Sequence, residues 1–184
     1  MRTGSWLRIL RFPNLLTVPG DPVAGFLAVQ PRVSFFPFAF CLGMILCLYS
    51  AGLILNDWVD RAEDSRERPE RPIPAGEISE GDALTAAAVL FACGLGAAFY
   101  VSLPLFFTAA LLVFLILSYN LWSKNMKTLG PMNMGLCRGT SLFAGAIAGG
   151  GADVDGAEVF LPVAGITIYI ASVARVAREE TRKR

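Results

Sequence analysis

Residues 56–79 read Asn-Asp-Trp-Val-Asp-Arg-Ala-Glu-Asp-Ser-Arg-Glu-Arg-Pro-Glu-Arg-Pro-Ile-Pro-Ala-Gly-Glu-Ile-Ser, a long charged interruption in an otherwise strongly apolar chain. In a helix each residue turns about 100°, so Asp57, Asp60 and Asp64 share a stripe roughly 60° wide, and Asn56 widens it to roughly 100°. Three carboxylates on one stripe repel one another unless a cation sits among them. Asp and Asn oxygens suit a hard ion such as Mg²⁺, which takes one or two carboxylates and completes its shell with water and phosphate oxygens. Arg61, Arg66, Arg68 and Arg71 follow at once, supplying guanidinium groups suited to a phosphate. The ordinary reading of such a loop is a solvated, mixed-charge anchor. The acid stripe and the rigid Arg-Pro-Ile-Pro-Ala-Gly run (71–76) point instead to a built site.

On either side of this segment the residues are apolar for about the 20 positions that a helix needs to cross roughly 30 Å of hydrocarbon. Hydrophobic residues make up 54% of the 184 and charged ones only 17%, against about a quarter charged in a soluble domain. Six spans are predicted, near 13–30, 35–55, 81–101, 104–122, 131–150 and 159–177, in a single transmembrane domain over 1–184. The fold class is therefore all-α, a polytopic helical bundle. The first span is interrupted by Pro19, Asp21 and Pro22; the same residues and Pro13 break up any signal-peptide core, so it reads as a retained helix with a local break.

Lys and Arg fall on alternate loops. Arg2, Arg8 and Arg11, the four arginines at 61–71, Lys124 and Lys127, and Arg175, Arg178, Arg182, Lys183 and Arg184 all lie on the side of the N-terminus. Only Arg32 lies on the other, and Arg138 is inside the fifth span. The positive-inside rule puts the N-terminus and the motif loop in the cytoplasm, with the plasma membrane as the location. Because the basic residues track the membrane side rather than forming a patch, nucleic-acid binding has no support. The absence of histidine removes triad, histidine-ligand and histidine-shuttle chemistry. The four cysteines lie inside apolar blocks without C-x-x-C spacing and read as small buried hydrophobes.

The pattern N-D-x-x-D-x-x-x-D (Asn56, Asp57, Asp60, Asp64) followed by R-P-I-P-x-G-x-I-S (Arg71 to Ser79) is similar to the first aspartate-rich motif of the UbiA superfamily of intramembrane prenyltransferases. Arg11-Phe12-Pro13-Asn14 resembles the opening of that family, in which an asparagine of the first helix faces a diphosphate. Tyr119, Asn120 and Lys124 resemble its Y-N-x-x-x-K stretch, whose lysine is a phosphate ligand. Gly130, Asn133 and Gly139 resemble the start of its fifth helix. Each outlying residue also has a plainer role: Lys124 and Lys127 as topology anchors, Tyr119 and Trp122 as interfacial aromatics, Asn14 as a helix cap, Arg138 as a snorkelling charge.

The resemblance implies an enzyme that transfers an isoprenoid group from a polyprenyl diphosphate to an aromatic or other lipophilic acceptor, with Mg²⁺ assisting departure of the diphosphate. It implies metal binding and catalysis by Asp57, Asp60 and Asp64, with Asn56 completing the metal set. Diphosphate binding falls to Asn14, Asn56, Arg66, Arg71, Tyr119, Lys124, Asn133 and Arg138. The family also has about nine helices and a second aspartate-rich motif after the sixth. At that place this chain reads Ala-Arg-Val-Ala-Arg-Glu-Glu-Thr-Arg (174–182), with Glu179 and Glu180 and no D-x-x-x-D. Three readings stay open: a truncated bundle, one completed by a second chain, or a non-catalytic scaffold binding an isoprenoid or a partner. A CDP-alcohol phosphotransferase, another membrane enzyme with clustered aspartates, is set aside because Asn56 to Asp64 lacks its glycines and D-G-x-x-A-R opening.

Overall fold

The computed structural model describes residues 2–29, 35–150, 154 and 156–182, all-helical with no strand among them. The element order is α1 (Arg2–Ile9), α2 (Phe12–Leu15), α3 (Gly20–Ala28), α4 (Phe35–Glu67), α5 (Glu80–Val101), α6 (Leu103–Leu121), a 3₁₀ turn (Ser123–Asn125), α7 (Leu129–Gly150) and α8 (Gly156–Arg182). Arg32 lies outside the described residues.

The predicted span over 13–30 is divided. Prolines at 13, 19 and 22 each remove a backbone donor, and the chain forms a four-residue α2 and a nine-residue α3 rather than one rod. Among the described residues, four helical stretches are long and apolar enough to cross a membrane: α4, α5, α6, and Val159–Glu180 within α8. Helix α7 has the length, but its small and polar residues are buried in the bundle.

Helix α4 is the axis of the fold. Its Cys41, Met44, Ile45 and Leu48 meet Ala98 of α5, Leu105, Ala109 and Leu112 of α6, and Ala144, Ile147 and Ala148 of α7. The opposite pattern holds outside: Phe99, Phe107, Phe114, Leu161 and Ile168 are all more than half exposed. Such a surface would be costly in water and costs nothing against lipid tails.

Where α7 meets its neighbours, small residues let the backbones touch. A Cβ added at Gly145 would sit 2.0 Å from the Pro22 carbonyl oxygen of α3, and one at Gly135 would sit 2.2 Å from the Thr167 carbonyl oxygen of α8. Gly135/Gly139 and Gly145/Gly149 have the small-x-x-x-small spacing that brings membrane helices together.

The loop after α4 is fixed as firmly as a helix. Glu77 and Ile78 N–H groups both donate to the Pro72 carbonyl, and Gly76 takes the left-handed conformation (φ 70°) that closes the turn. Ile73 and Ile78 then pack with Ile9 of α1, Ile54 of α4, and Ala83 and Ala87 of α5. Ser79 caps α5 by accepting from the Asp82 N–H at 3.0 Å.

Gly145→Val should therefore lower the melting temperature of the detergent-solubilised protein through overpacking of at least about 1–3 kcal/mol. Gly96→Ala, where an added Cβ meets nothing within 4 Å, should leave it unchanged or raise it. Equal effects would contradict the close α3–α7 approach.

Candidate functional site

Helix α4 runs about three turns past its apolar part without a break, so the acid stripe is carried on the same rigid rod as the core. Asp57 and Asp64 are buried and Asp60 is partly buried. Removing carboxylates from water is expensive unless each is paired, and each here is. Arg71 Nη1 donates to Asp64 at 2.6 Å and reaches Asp57 at 3.5 Å. Lys124 pairs with Asp60, which also accepts from the Asn56 amide at 3.1 Å. Arg11 Nη2 donates to Asp57 at 3.1 Å. The three cations come from three separate elements: the α1–α2 junction, the 68–79 loop and the 3₁₀ turn.

Arg11 was unassigned by the sequence except as a topology anchor. It adopts a left-handed backbone (φ 47°, ψ 56°), the only non-glycine among the described residues with positive φ. This conformation costs of order 1–3 kcal/mol, and it turns the chain between α1 and α2 with the guanidinium on Asp57. No composition signal marks such a residue; only the pairing it makes does.

The 3₁₀ turn bearing Lys124 is itself held in place. Arg178 of α8 donates to the carbonyls of Lys124 (2.9 Å), Asn125 (2.6 Å) and Met126 (2.7 Å). Asn133 braces it from below. With its amide oriented to satisfy every neighbour, its oxygen accepts from Ser123 Oγ (3.1 Å) and the Tyr119 N–H (3.3 Å), and its nitrogen donates to the Leu115 carbonyl (3.1 Å).

A cavity of about 540 Å³ adjoins this network. Arg11, Asn14, Asn56 and Tyr119 line one part of it; Ile45, Leu112, Ile116, Met134 and Ile170 give it apolar walls; Asp21, Arg138 and Ser141 also face it. Of the residues expected from sequence, Asp57, Asp64 and Arg71 form one hydrogen-bonded group and Asn56, Asp60 and Lys124 a second beside it on the same stripe, and Asn14 and Tyr119 line the adjoining cavity. Arg66 is exposed on the last turn of α4, and Asn133 is buried under the turn and off the cavity lining. Arg138 lines the cavity but is paired with Asp21, not with the acid cluster.

The donor set fits a hard divalent cation shared with a phosphate group. Among the described residues no three acidic or cysteine side chains converge into a closed cage. Mg²⁺ needs none, because one or two carboxylates suffice when phosphate oxygens complete the shell. The arginines and the lysine that neutralise these carboxylates are also the groups that would face the phosphate.

Fold and site together define an integral membrane helical bundle with an acid-and-base cluster beside a largely apolar cavity. The chain belongs to the UbiA prenyltransferase family, whose profile matches residues 22–184. It is 35% identical over 136 residues to a digeranylgeranylglyceryl phosphate synthase of Methanoregula boonei, covering 73% of this chain and 47% of that protein. It is 31% identical over 170 residues to the synthase of the same name from Methanospirillum hungatei, covering 91% and 59%. A solved digeranylgeranylglyceryl phosphate synthase superposes with a TM-score of 0.83 at 20% identity, over 92% of this chain and 60% of that one. A UbiA homologue from Archaeoglobus fulgidus bound to GPP and Mg²⁺ gives 0.77 at 19%, with the same coverage. The chain thus spans about half to three-fifths of the length of these relatives.

Beside the site, α1 is clasped to the motif loop: Ser5 and Arg8 both donate to the Glu77 carboxylate. The Arg8 hydrogen bond, then that from Ser5, holds the Glu77 carboxyl below its ordinary value of 4.5. A lowered acid contributes its stability in full above the ordinary value and loses it as pH falls through the lower one. Trp6 emission, read in a Trp58→Phe/Trp122→Phe background, should therefore stay constant at neutral pH and shift red only in acid below 4.5. Glu77→Gln should abolish that acid transition.

Proposed function

We propose that the chain carries out prenyl transfer, moving an isoprenoid group from a polyprenyl diphosphate to a lipophilic acceptor. The observation that carries this reading is the cluster in which Arg11, Arg71 and Lys124 converge on Asp57, Asp60 and Asp64 beside a tail-sized apolar cavity. The distribution of basic residues supports a cytoplasmic site in the plasma membrane, reached from the side where polar diphosphates are soluble.

Asp57, Asp60 and Asp64, with Asn56, would hold Mg²⁺, which when bound neutralises the diphosphate and eases its departure. Arg71 and Lys124 donate N–H groups to the charge that builds on the leaving oxygens as the allylic C–O bond ionises. Arg11 holds Asp57, and Asn14 and Tyr119 offer neutral donors from the cavity wall. The apolar walls take the isoprenoid tail and exclude water, so that the carbocation meets the acceptor instead. Removing Arg71 would leave the buried Asp64 carboxylate without its partner, which is destabilising.

The named relatives make a glyceryl phosphate lipid the first acceptor to test, with aromatic acceptors alongside. Membranes containing the chain, given Mg²⁺ and labelled geranylgeranyl diphosphate with this panel, should release diphosphate and form a prenylated lipid. Asp57→Asn and Asp60→Asn should each lower the rate at least about 100-fold. Arg66→Ala, at a solvated position, should stay within about twofold. Binding of the diphosphate that is indifferent to Mg²⁺ and to Asp60→Asn, without turnover, would identify an isoprenoid-binding scaffold instead.

A further inference from the structure

Among the described residues, three buried side-chain atoms have no hydrogen-bond partner: Asp21 Oδ2, Asn120 Oδ1 and Arg138 Nε. All three belong to residues that line the same cavity. Buried polar atoms are normally satisfied, and each exception asks for a cause. Here the exceptions share one space.

Asp21 and Arg138 form an ion pair between α3 and α7. Arg138 Nη2 donates to Asp21 Oδ1 at 3.0 Å, while Nε lies 2.5 Å from Oδ2 but off the hydrogen-bonding line. Asp21 is only 6% exposed. Arg138 stands nine residues into α7, about 13 Å along the helix from the end next to the Lys124 turn. Charge at that depth in a membrane bundle costs several kcal/mol and normally marks a substrate path. An isoprenoid tail, being hydrocarbon, has no use for it.

We propose that the Asp21–Arg138 pair, with Ser141 beside it on the cavity wall, is a subsite for a hydroxyl group of the acceptor. The proposal rests on the prenyl-transfer reading and supplies its second substrate with a recognition point. The pair is neutral as a unit. A free carboxylate or phosphate would have to face Asp21, and an amine would have to face Arg138. A hydroxyl matches both, donating its O–H to the carboxylate and accepting from the guanidinium, which keeps further N–H donors beyond those turned to Asp21. The subsite therefore recognises a hydroxyl of the acceptor rather than a charged group, and binds it apart from the diphosphate cluster.

The test uses the chain in nanodiscs and a photoreactive 1-O-alkylglycerol, with labelling of α3 and α7 competed by unlabelled lipids. 1-O-Octadecylglycerol should compete, and octadecane and stearate at the same concentration should not. Asp21→Asn and Arg138→Gln should each raise the half-competing concentration of octadecylglycerol about tenfold or more. Both should leave the Mg²⁺-dependent binding of geranylgeranyl thiodiphosphate within about twofold, as expected of a separate site. Equal competition by octadecane, or stronger competition by stearate, overturns the proposal. So does parallel loss of both ligands in the two variants, which would make the pair a brace between α3 and α7. If either variant fails to fold, Ser141→Leu, which fills the wall one turn along α7, must itself weaken alkylglycerol competition; no loss there overturns the proposal too. Since alkylglycerol labelling needs no turnover, its failure is distinct from failure of the prenyl-transfer reading, which the thiodiphosphate binding reports.

Discussion

Three carboxylates at the end of a membrane helix can be withdrawn from water only if cations meet them, and here the meeting organises the structure. Arg11 arrives from a left-handed turn, Arg71 from a proline-stiffened loop and Lys124 from a 3₁₀ turn. None of these elements is near another in sequence. The apolar packing of the 68–79 loop, the Arg178 clamp on the 3₁₀ turn and the Asn133 brace all serve to hold those cations in place. Under the proposed function, an arriving anion and its counter-ion would take over both halves of each pair without exposing either half to lipid.

The bundle around it follows from two different packing rules. Helices α4, α5 and α6 interlock through branched and aromatic side chains, while α7 draws α3 and α8 against its backbone at glycines. The first arrangement makes a rigid wall; the second brings a broken segment, α2–α3, close enough to line a cavity with polar groups.

Much of this was legible in the sequence. The α4 stripe is a direct consequence of helical periodicity; of the basic residues that meet it, Arg71 stood in the segment that follows, Lys124 came from the resemblance, and Arg11 from neither. Helices α5, α6 and α7 fall close to the apolar blocks read at 81–101, 104–122 and 131–150, whereas α4 and α8 run past theirs. The break read in the first span from its prolines is the gap between α2 and α3, which ends at Pro19. Asn133 and Arg138 were assigned to the diphosphate, yet one bonds Ser123 and Leu115 beneath the 3₁₀ turn and the other pairs with Asp21, because residue type alone cannot say which partner a polar side chain finds. The Asp21–Arg138 pair did carry a usable signal. One acid and one base lay inside otherwise apolar spans, and in a bilayer such residues are the natural counter-ions of each other. Arg11 carried none, since its role depends on a backbone conformation.

Under the proposed function the α4 carboxylates share a divalent cation with a bound diphosphate. Mn²⁺ substituted for Mg²⁺ in the presence of geranylgeranyl thiodiphosphate would report this directly by pulsed electron paramagnetic resonance. The bound metal should show ³¹P hyperfine coupling, lost together with metal binding in Asp57→Asn. Metal that binds without phosphorus coupling, or coupling that survives Asp57→Asn, would contradict it.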